Sequence, residues 1–336
     1  MLCCFFKREE KYFILFQMLT DFVADAAARR PVVPTSYLLN DLHFQLLDCT
    51  QTKGYPNSPC CVLRHSELPV IRLYGNSREG HSVLVHCYNF EPYLWIEAPT
   101  GWHQNYSDEL RNTINMELAA ISKSSNGPVV RVETHTKQSL MYFTGSGKKF
   151  FLKIVVELPQ HVPKVRALVW ERGVPFRHLS DAPRRCPTFE SNVIFPLRFL
   201  VDNDVGGCNW ITVPAAKCSR TVSATSLCQI EVDVSYEWIQ SHEPVGVHMG
   251  IAPFRILSID IECMGKKGCF PEAQQDPVIQ IANHLVAYGS KEIISKAIFT
   301  LNTCASIAGA HVYSFASERE MLVGWALYLK AMDPDF

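Results

Sequence analysis

The chain has no excess of charge of either sign, no CxxC pair and no apolar run long enough to span a bilayer. Each absence excludes something. Thirty-two Lys plus Arg against 33 Asp plus Glu leave a formal net charge of −1. No strong overall field therefore holds a polyanion, and any nucleic-acid contact must be local. The 13 cysteines are odd in number and scattered, with only Cys3-Cys4 and Cys60-Cys61 adjacent. The paired spacing that builds zinc sites is missing, and the pattern reads as a reduced intracellular chain. The apolar run at residues 12–19 follows Lys7, Arg8 and Lys11 in the manner of a signal peptide, but Glu9, Glu10, Gln17 and Asp21 argue against one. It is too short to cross a membrane, so an amphipathic terminal helix is the expectation.

What is present is enough apolar residue, 47% of 336, to bury the cores of about two domains. After a Pro-containing stretch at 29–35 that reads as a linker, short β-patterned runs dominate residues 40–250. They lie at 69–74, 82–88, 92–96, 129–134, 150–158, 192–201 and 229–236, punctuated by Gly, Pro, Asn and Ser clusters. Helical spacing appears at 107–123, where Leu110, Ile114, Leu118 and Ile121 recur every three or four residues, and at 162–172, which stops at Gly173. A loop carrying His242, Pro244, Gly246 and Gly250 marks a boundary. Beyond it come strands at 254–263, 277–288 and 293–301 and a helix at 317–332, whose Ser317 and Glu320 fit a capping box. The organisation expected is an unassigned extension at 1–35, an α+β domain at 36–250 and an α/β domain at 251–336.

Ser258-Ile259-Asp260-Ile261-Glu262-Cys263 sets two carboxylates two residues apart in a β-branched run. Strand side chains alternate faces, so Asp260 and Glu262 point the same way while Ile259 and Ile261 pack behind them. Buried acids need a counter-charge, and a hard cation such as Mg²⁺ supplies one to oxygen ligands. A solvated edge strand with idle acids accounts for the spacing equally well. The aromatics Tyr93, Trp95, Phe143 and Trp210 could stack bases, although their strand context favours core packing.

Residues 256–263 (ILSIDIEC), 265–272 (GKKGCFPE) and 276–282 (DPVIQIA) together resemble the first exonuclease motif of the family B DNA polymerases, especially the eukaryotic replicative members. The likeness extends upstream to Thr188-Phe189-Glu190-Ser191-Asn192-Val193 and Gly206-Gly207-Cys208-Asn209-Trp210-Ile211. Downstream, Tyr313-Ser314-Phe315, Trp325 and Met332-Asp333-Pro334-Asp335 fit the helix that precedes the family's second motif.

The resemblance implies an N-terminal α+β domain followed by an incomplete, ribonuclease H-like α/β exonuclease domain. It implies 3′-5′ proofreading in which about four acids hold two divalent ions, Mg²⁺ or Mn²⁺. Asp260 and Glu262 map onto the first two of those acids. Lys266 and Lys267, in the following loop, are either phosphate contacts or a solvated charge pair. The same resemblance implies DNA as partner, as primer-template or single-stranded 3′ end, together with the rest of the polymerase and its accessory subunits. It implies a nuclear location and no membrane. With the family's remaining acids outside this chain, metal binding is expected to be weak and the chain alone inactive. In that fold the first strand is central, so here it is expected to expose a bare backbone edge. The alternative is a non-catalytic nucleic-acid-binding or interaction module.

Overall fold

Turn residues and β-branched runs divide the chain into the elements seen in a computed structural model, which describes residues 30–122, 127–139 and 147–336. The expected terminal helix at 12–19 and Phe143 lie outside the described residues. Contacts sort the described residues into two compact units: one within Pro34–Gly75 and Ser82–His248, the other Met249–Phe336 with Asn76–His81 and residues 30–33. Among the described residues no helix is long and apolar enough to cross a membrane.

The larger unit contains β1 (Leu42–Gly54), β2 (Leu68–Ser77, its last two residues grouped with the smaller unit), β3 (Ser82–Tyr88), β4 (Tyr93–Glu97), α1 (Ser107–Ser122), β5 (Val129–Lys137) and β6 (Lys149–Val156). It continues through α2 (Val162–Ala167), β7 (Val174–Phe176), β8 (Ser180–Arg184), β9 (Thr188–Phe189), α3 (Phe195–Asp202), β10 (Trp210–Val213), β11 (Cys218–Arg220), β12 (Ile230–Ser235) and β13 (Gln240–His242). A seven-stranded sheet runs in the order β11-β12-β3-β2-β1-β10-β13, a four-stranded one in the order β5-β6-β4-β9, and β7 and β8 form a hairpin. Every residue of the interior strand β3 is buried, which its Val- and Leu-rich sequence permits. Helix α1 buries Leu110, Ile114 and Leu118 on Leu94, Ile96, Leu152 and Ile154. Helix α2 runs into a π turn at Leu168–Arg172, and Gly173 stops it at φ +87°; a Cβ there would lie 2.8 Å from the Arg184 carbonyl carbon.

One expectation fails here and another is refined. Residues 192–201, read as a strand, instead form the helix α3. The segment is almost continuously apolar, as a buried strand can be, but Pro196 sits in the first turn, where a missing N–H costs nothing, and Phe195, Arg198 and Phe199 are buried at helical spacing. The stretch 29–35, read as a linker, does contain the boundary between the two units, at Val33 and Pro34, but Arg30 in it is anchored, its side chain 5% exposed.

The smaller unit contains β14 (Arg255–Cys263), β15 (Val278–Ala287), β16 (Ile293–Leu301), β17 (His311–Phe315) and α4 (Glu318–Met332). The sheet order is β14-β15-β16-β17, antiparallel except for the parallel pair β16 and β17. Thus Tyr313-Ser314-Phe315 belongs to a fourth strand and not to the helix. Ser317 caps α4, its hydroxyl accepting from the Glu320 N–H at 3.3 Å. The helix lays Met321, Tyr328 and Met332 on Ile281, Leu285, Phe299 and Phe315. Gly324 allows this approach, since a Cβ would stand 2.6 Å from the Phe315 ring. Two polar contacts fix the docking: Trp325 Nε1 donates to Asn283 Oδ1 at 2.9 Å and the Tyr328 hydroxyl to Ser295 Oγ at 3.0 Å.

In the larger unit Glu231 is buried on β12. Burial pushes its carboxyl up, but hydrogen bonds from His86 Nε2, the Thr225 and Ser226 amides and both their hydroxyls outweigh burial and bring it down to about 2. A depressed carboxyl pKa contributes stability that is present above its unfolded value and lost as pH falls through the folded one. Glu231 should therefore contribute on the order of 3 kcal/mol at neutral pH, lost between about pH 4.5 and pH 2. Urea midpoints measured across that window should drop for the wild type, while Glu231→Gln, already destabilised at pH 7, should show a flatter profile.

Candidate metal centre

The register of the smaller sheet assigns every side chain of β14 to a face. Leu257 lies opposite Leu285, Ile259 opposite Asn283 and Ile261 opposite Ile281, on the sheet face where α4 packs over Leu285 and Ile281. Ser258, Asp260 and Glu262 lie opposite His284, Ala282 and Gln280 on the other side. Asp260 and Glu262 thus share a face, as their spacing predicts. Both are exposed, as are Ala282 and Lys296 on the same face, so the acids stand on an open surface.

The packing behind them differs from expectation. Ile259 and Ile261 are 47% and 52% exposed, and only Leu257 of β14 joins the core under α4. The reason is position: β14 is the edge strand, beyond the reach of the helix. The expected bare edge is also only partly bare. The Leu257 N–H donates to Phe336 O at 3.0 Å, and the Asp335 N–H donates to Arg255 O at 2.8 Å, so the last residues cover the start of the outer edge.

Among the described residues no group of three His, Cys, Asp or Glu side chains converges to hold a metal ion. Asp260 and Glu262 are oxygen donors of the type Mg²⁺ and Mn²⁺ take, but two carboxylates fill only part of an octahedron. The residues fit half a site. His284, not singled out by the sequence, lies on the same face opposite Ser258, its Nε2 buried without a hydrogen-bond partner among the described residues.

Lys266 and Lys267 are exposed in the loop that leaves β14, where the Cys269 N–H closes a turn on Lys266 O at 3.1 Å. Lys149 is paired with Glu97 at 2.7 Å. Tyr93, Trp95 and Trp210 are 8%, 7% and 2% exposed, so they pack in the interior and offer no face for stacking bases.

Residues 186–336 match the model of the exonuclease domain of DNA polymerase family B. The chain is 37% identical over 312 residues to the DNA polymerase delta catalytic subunit of Oryza sativa subsp. japonica, an alignment covering 91% of this chain and 28% of that protein. It is 38% identical over 324 residues to the Bos taurus subunit of the same name, covering 93% and 29%. The chain thus spans less than a third of the length of these relatives. A solved structure, the family B DNA polymerase from the hyperthermophilic archaeon Pyrobaculum calidifontis, superposes with a TM-score of 0.56 at 20% identity over 87% of this chain and 29% of that one. At that identity the likeness is one of fold.

Because the side chains of both acids stand in solvent and hold no other part of the fold, Asp260→Ala and Glu262→Ala should each change stability by no more than about 0.5 kcal/mol. Thermal unfolding checks this, and a loss above about 1 kcal/mol would assign the acids a structural role.

Proposed function

Given that the chain belongs to the family B DNA polymerases, we propose that Asp260 and Glu262 are the first two carboxylates of a 3′-5′ proofreading exonuclease. The observation that carries this reading is their placement, two residues apart and exposed on the open face of β14, inside the stretch matching the exonuclease domain. A divalent ion, Mg²⁺ or Mn²⁺, would supply Lewis acidity to a scissile phosphodiester. Asp260 and Glu262 would hold that ion through carboxylate oxygens. Lys266 and Lys267 would steady a phosphate of the bound strand, contributing position and not sequence recognition. The substrate on this reading is DNA, as primer-template or single-stranded 3′ end, and the setting is nuclear replication. The partners are the rest of a replicative polymerase and its accessory subunits. The smaller unit would then be part of a ribonuclease H-like domain.

Two carboxylates are not a complete site. Removing one of several cooperating catalytic groups commonly costs a factor on the order of 10³ or more. The 336-residue chain by itself should accordingly cut no labelled single-stranded DNA above background in Mn²⁺. It should still bind the ion weakly, with a dissociation constant on the order of a millimolar. Paramagnetic broadening by Mn²⁺ should centre on Asp260 and Glu262 and vanish in Asp260→Ala. Broadening spread evenly over the acidic surface would count against the reading. So would cleavage that survives Asp260→Ala.

A further inference from the structure

Among the described residues of the smaller unit, a dense polar contact lies not at the carboxylate pair but at Arg30. A guanidinium carries five N–H donors in a fixed fork, and Arg30 uses all five. Nε donates to Asp333 Oδ2, Nη1 to Asn76 Oδ1 at 3.2 Å and Gly80 O at 3.1 Å, and Nη2 to Asp333 O at 2.8 Å and Asp335 Oδ1 at 2.6 Å. Asp335 is saturated in its turn. Its Oδ2 accepts from Asn76 Nδ2 at 2.6 Å and from the Arg255 backbone N–H at 2.7 Å. The side chains of Arg30 and Asp335 are 5% and 7% exposed, and Asn76 is fully buried. These are charge-assisted bonds screened from water, and a lysine, with a single ammonium, cannot reproduce the fork.

Geometry gives the cluster its consequence. Asp335 receives the backbone N–H of Arg255, the first residue of β14, and the chain at 335–336 then pairs with the outer edge of that strand through Asp335 N–H to Arg255 O and Leu257 N–H to Phe336 O. Three residues beyond Leu257 stands Asp260. We propose that Arg30 is a positioning residue, which clasps the segment 333–336 onto the start of β14 and thereby fixes the strand that presents Asp260 and Glu262. The clasp stands on the hydrogen bonds alone; its meaning for catalysis rests on the reading of those two acids as metal ligands.

Amide hydrogen exchange on the full chain tests it. Arg30→Lys keeps the charge and should speed exchange of the Asp335, Phe336 and Leu257 amides by about tenfold or more, while Ile281 and Phe299 in the interior strands keep wild-type rates. Unchanged rates at Leu257 would overturn the proposal. A uniform rise across Ile281 and Phe299 would overturn it too, since Arg30 would then contribute only global stability. Should Arg30→Lys fail to fold, Asn76→Ala, which deletes one acceptor and one donor of the same cluster, should give the same local pattern at smaller amplitude. A uniform change or no change there would again overturn the clasp. Mn²⁺ broadening at Asp260 and Glu262, measured alongside, should weaken in whichever variant loosens Leu257. If the wild type shows no such broadening, the metal-ligand reading fails, and the clasp is judged on the exchange rates alone.

Discussion

A cluster of two arginines and two aspartates, with Asp333 partly exposed and the other three buried, organises the smaller unit. Arg30 and Arg255 are each about 5% exposed, and they share their surroundings with Asp333 and Asp335. Burial and the neighbouring Arg30 both push the Arg255 pKa down, and the two aspartates oppose them. The cluster is tolerable because its charges balance. Removing one member of such a buried set strands the others and typically costs about 3–5 kcal/mol. That balance accords with sequence-distant pieces, residues 30–33, the loop Asn76–His81 and the residues after α4, forming one compact body with the sheet. It also explains how an edge strand with little core of its own is held, since Leu257 alone anchors it under the helix.

The same unit uses acidic residues in two opposite ways. Each carboxylate oxygen of Asp335 has a protein donor. The side chains of Asp260 and Glu262 lie on an open face and hold no other part of the fold. Exposed charge costs the fold little, so stability neither requires these acids nor opposes them. These exposed side chains lie within the stretch that matches an exonuclease domain, which is where the proposed function places its metal ligands. The exposed flanks Ile259 and Ile261 add to this, because a strand open on both faces is an unusual place to leave two isoleucines.

Local pattern made much of this legible. The expected strand at 293–301 coincides with β16, those around 254–263 and 277–288 match β14 and β15 to within a residue, and Ser317 caps α4 as its spacing with Glu320 predicts. The pairing of Asp260 with Glu262 on one face follows from alternation alone. What local pattern missed depends on partners far away in sequence. Arg30 reads as part of a linker because its acceptors lie 46 to 305 residues further on. Ile259 and Ile261 read as buried because alternation says nothing of where a helix ends its cover. The α3 segment reads as a strand for a different reason: a short, nearly continuous apolar run fits a buried strand as well as a helix and hides the helical face of Phe195, Arg198 and Phe199.

Sequence likeness and packing divide the chain at different points. The exonuclease-domain match begins at residue 186, whereas the compact unit carrying Asp260 and Glu262 begins its main segment at Met249. A piece cut to either boundary would keep both carboxylates and lose Arg30 and Asn76. Such a piece would retain Arg255 against Asp333 and Asp335, one positive charge facing two negative ones where the whole chain has two of each. The oxygens of Asp335 would lose two of three donors, and an unsatisfied buried carboxylate is among the costliest groups a fold can carry. The scaffold of the candidate site is therefore not the contiguous stretch that sequence comparison delimits, but that stretch together with two short segments near the start of the chain.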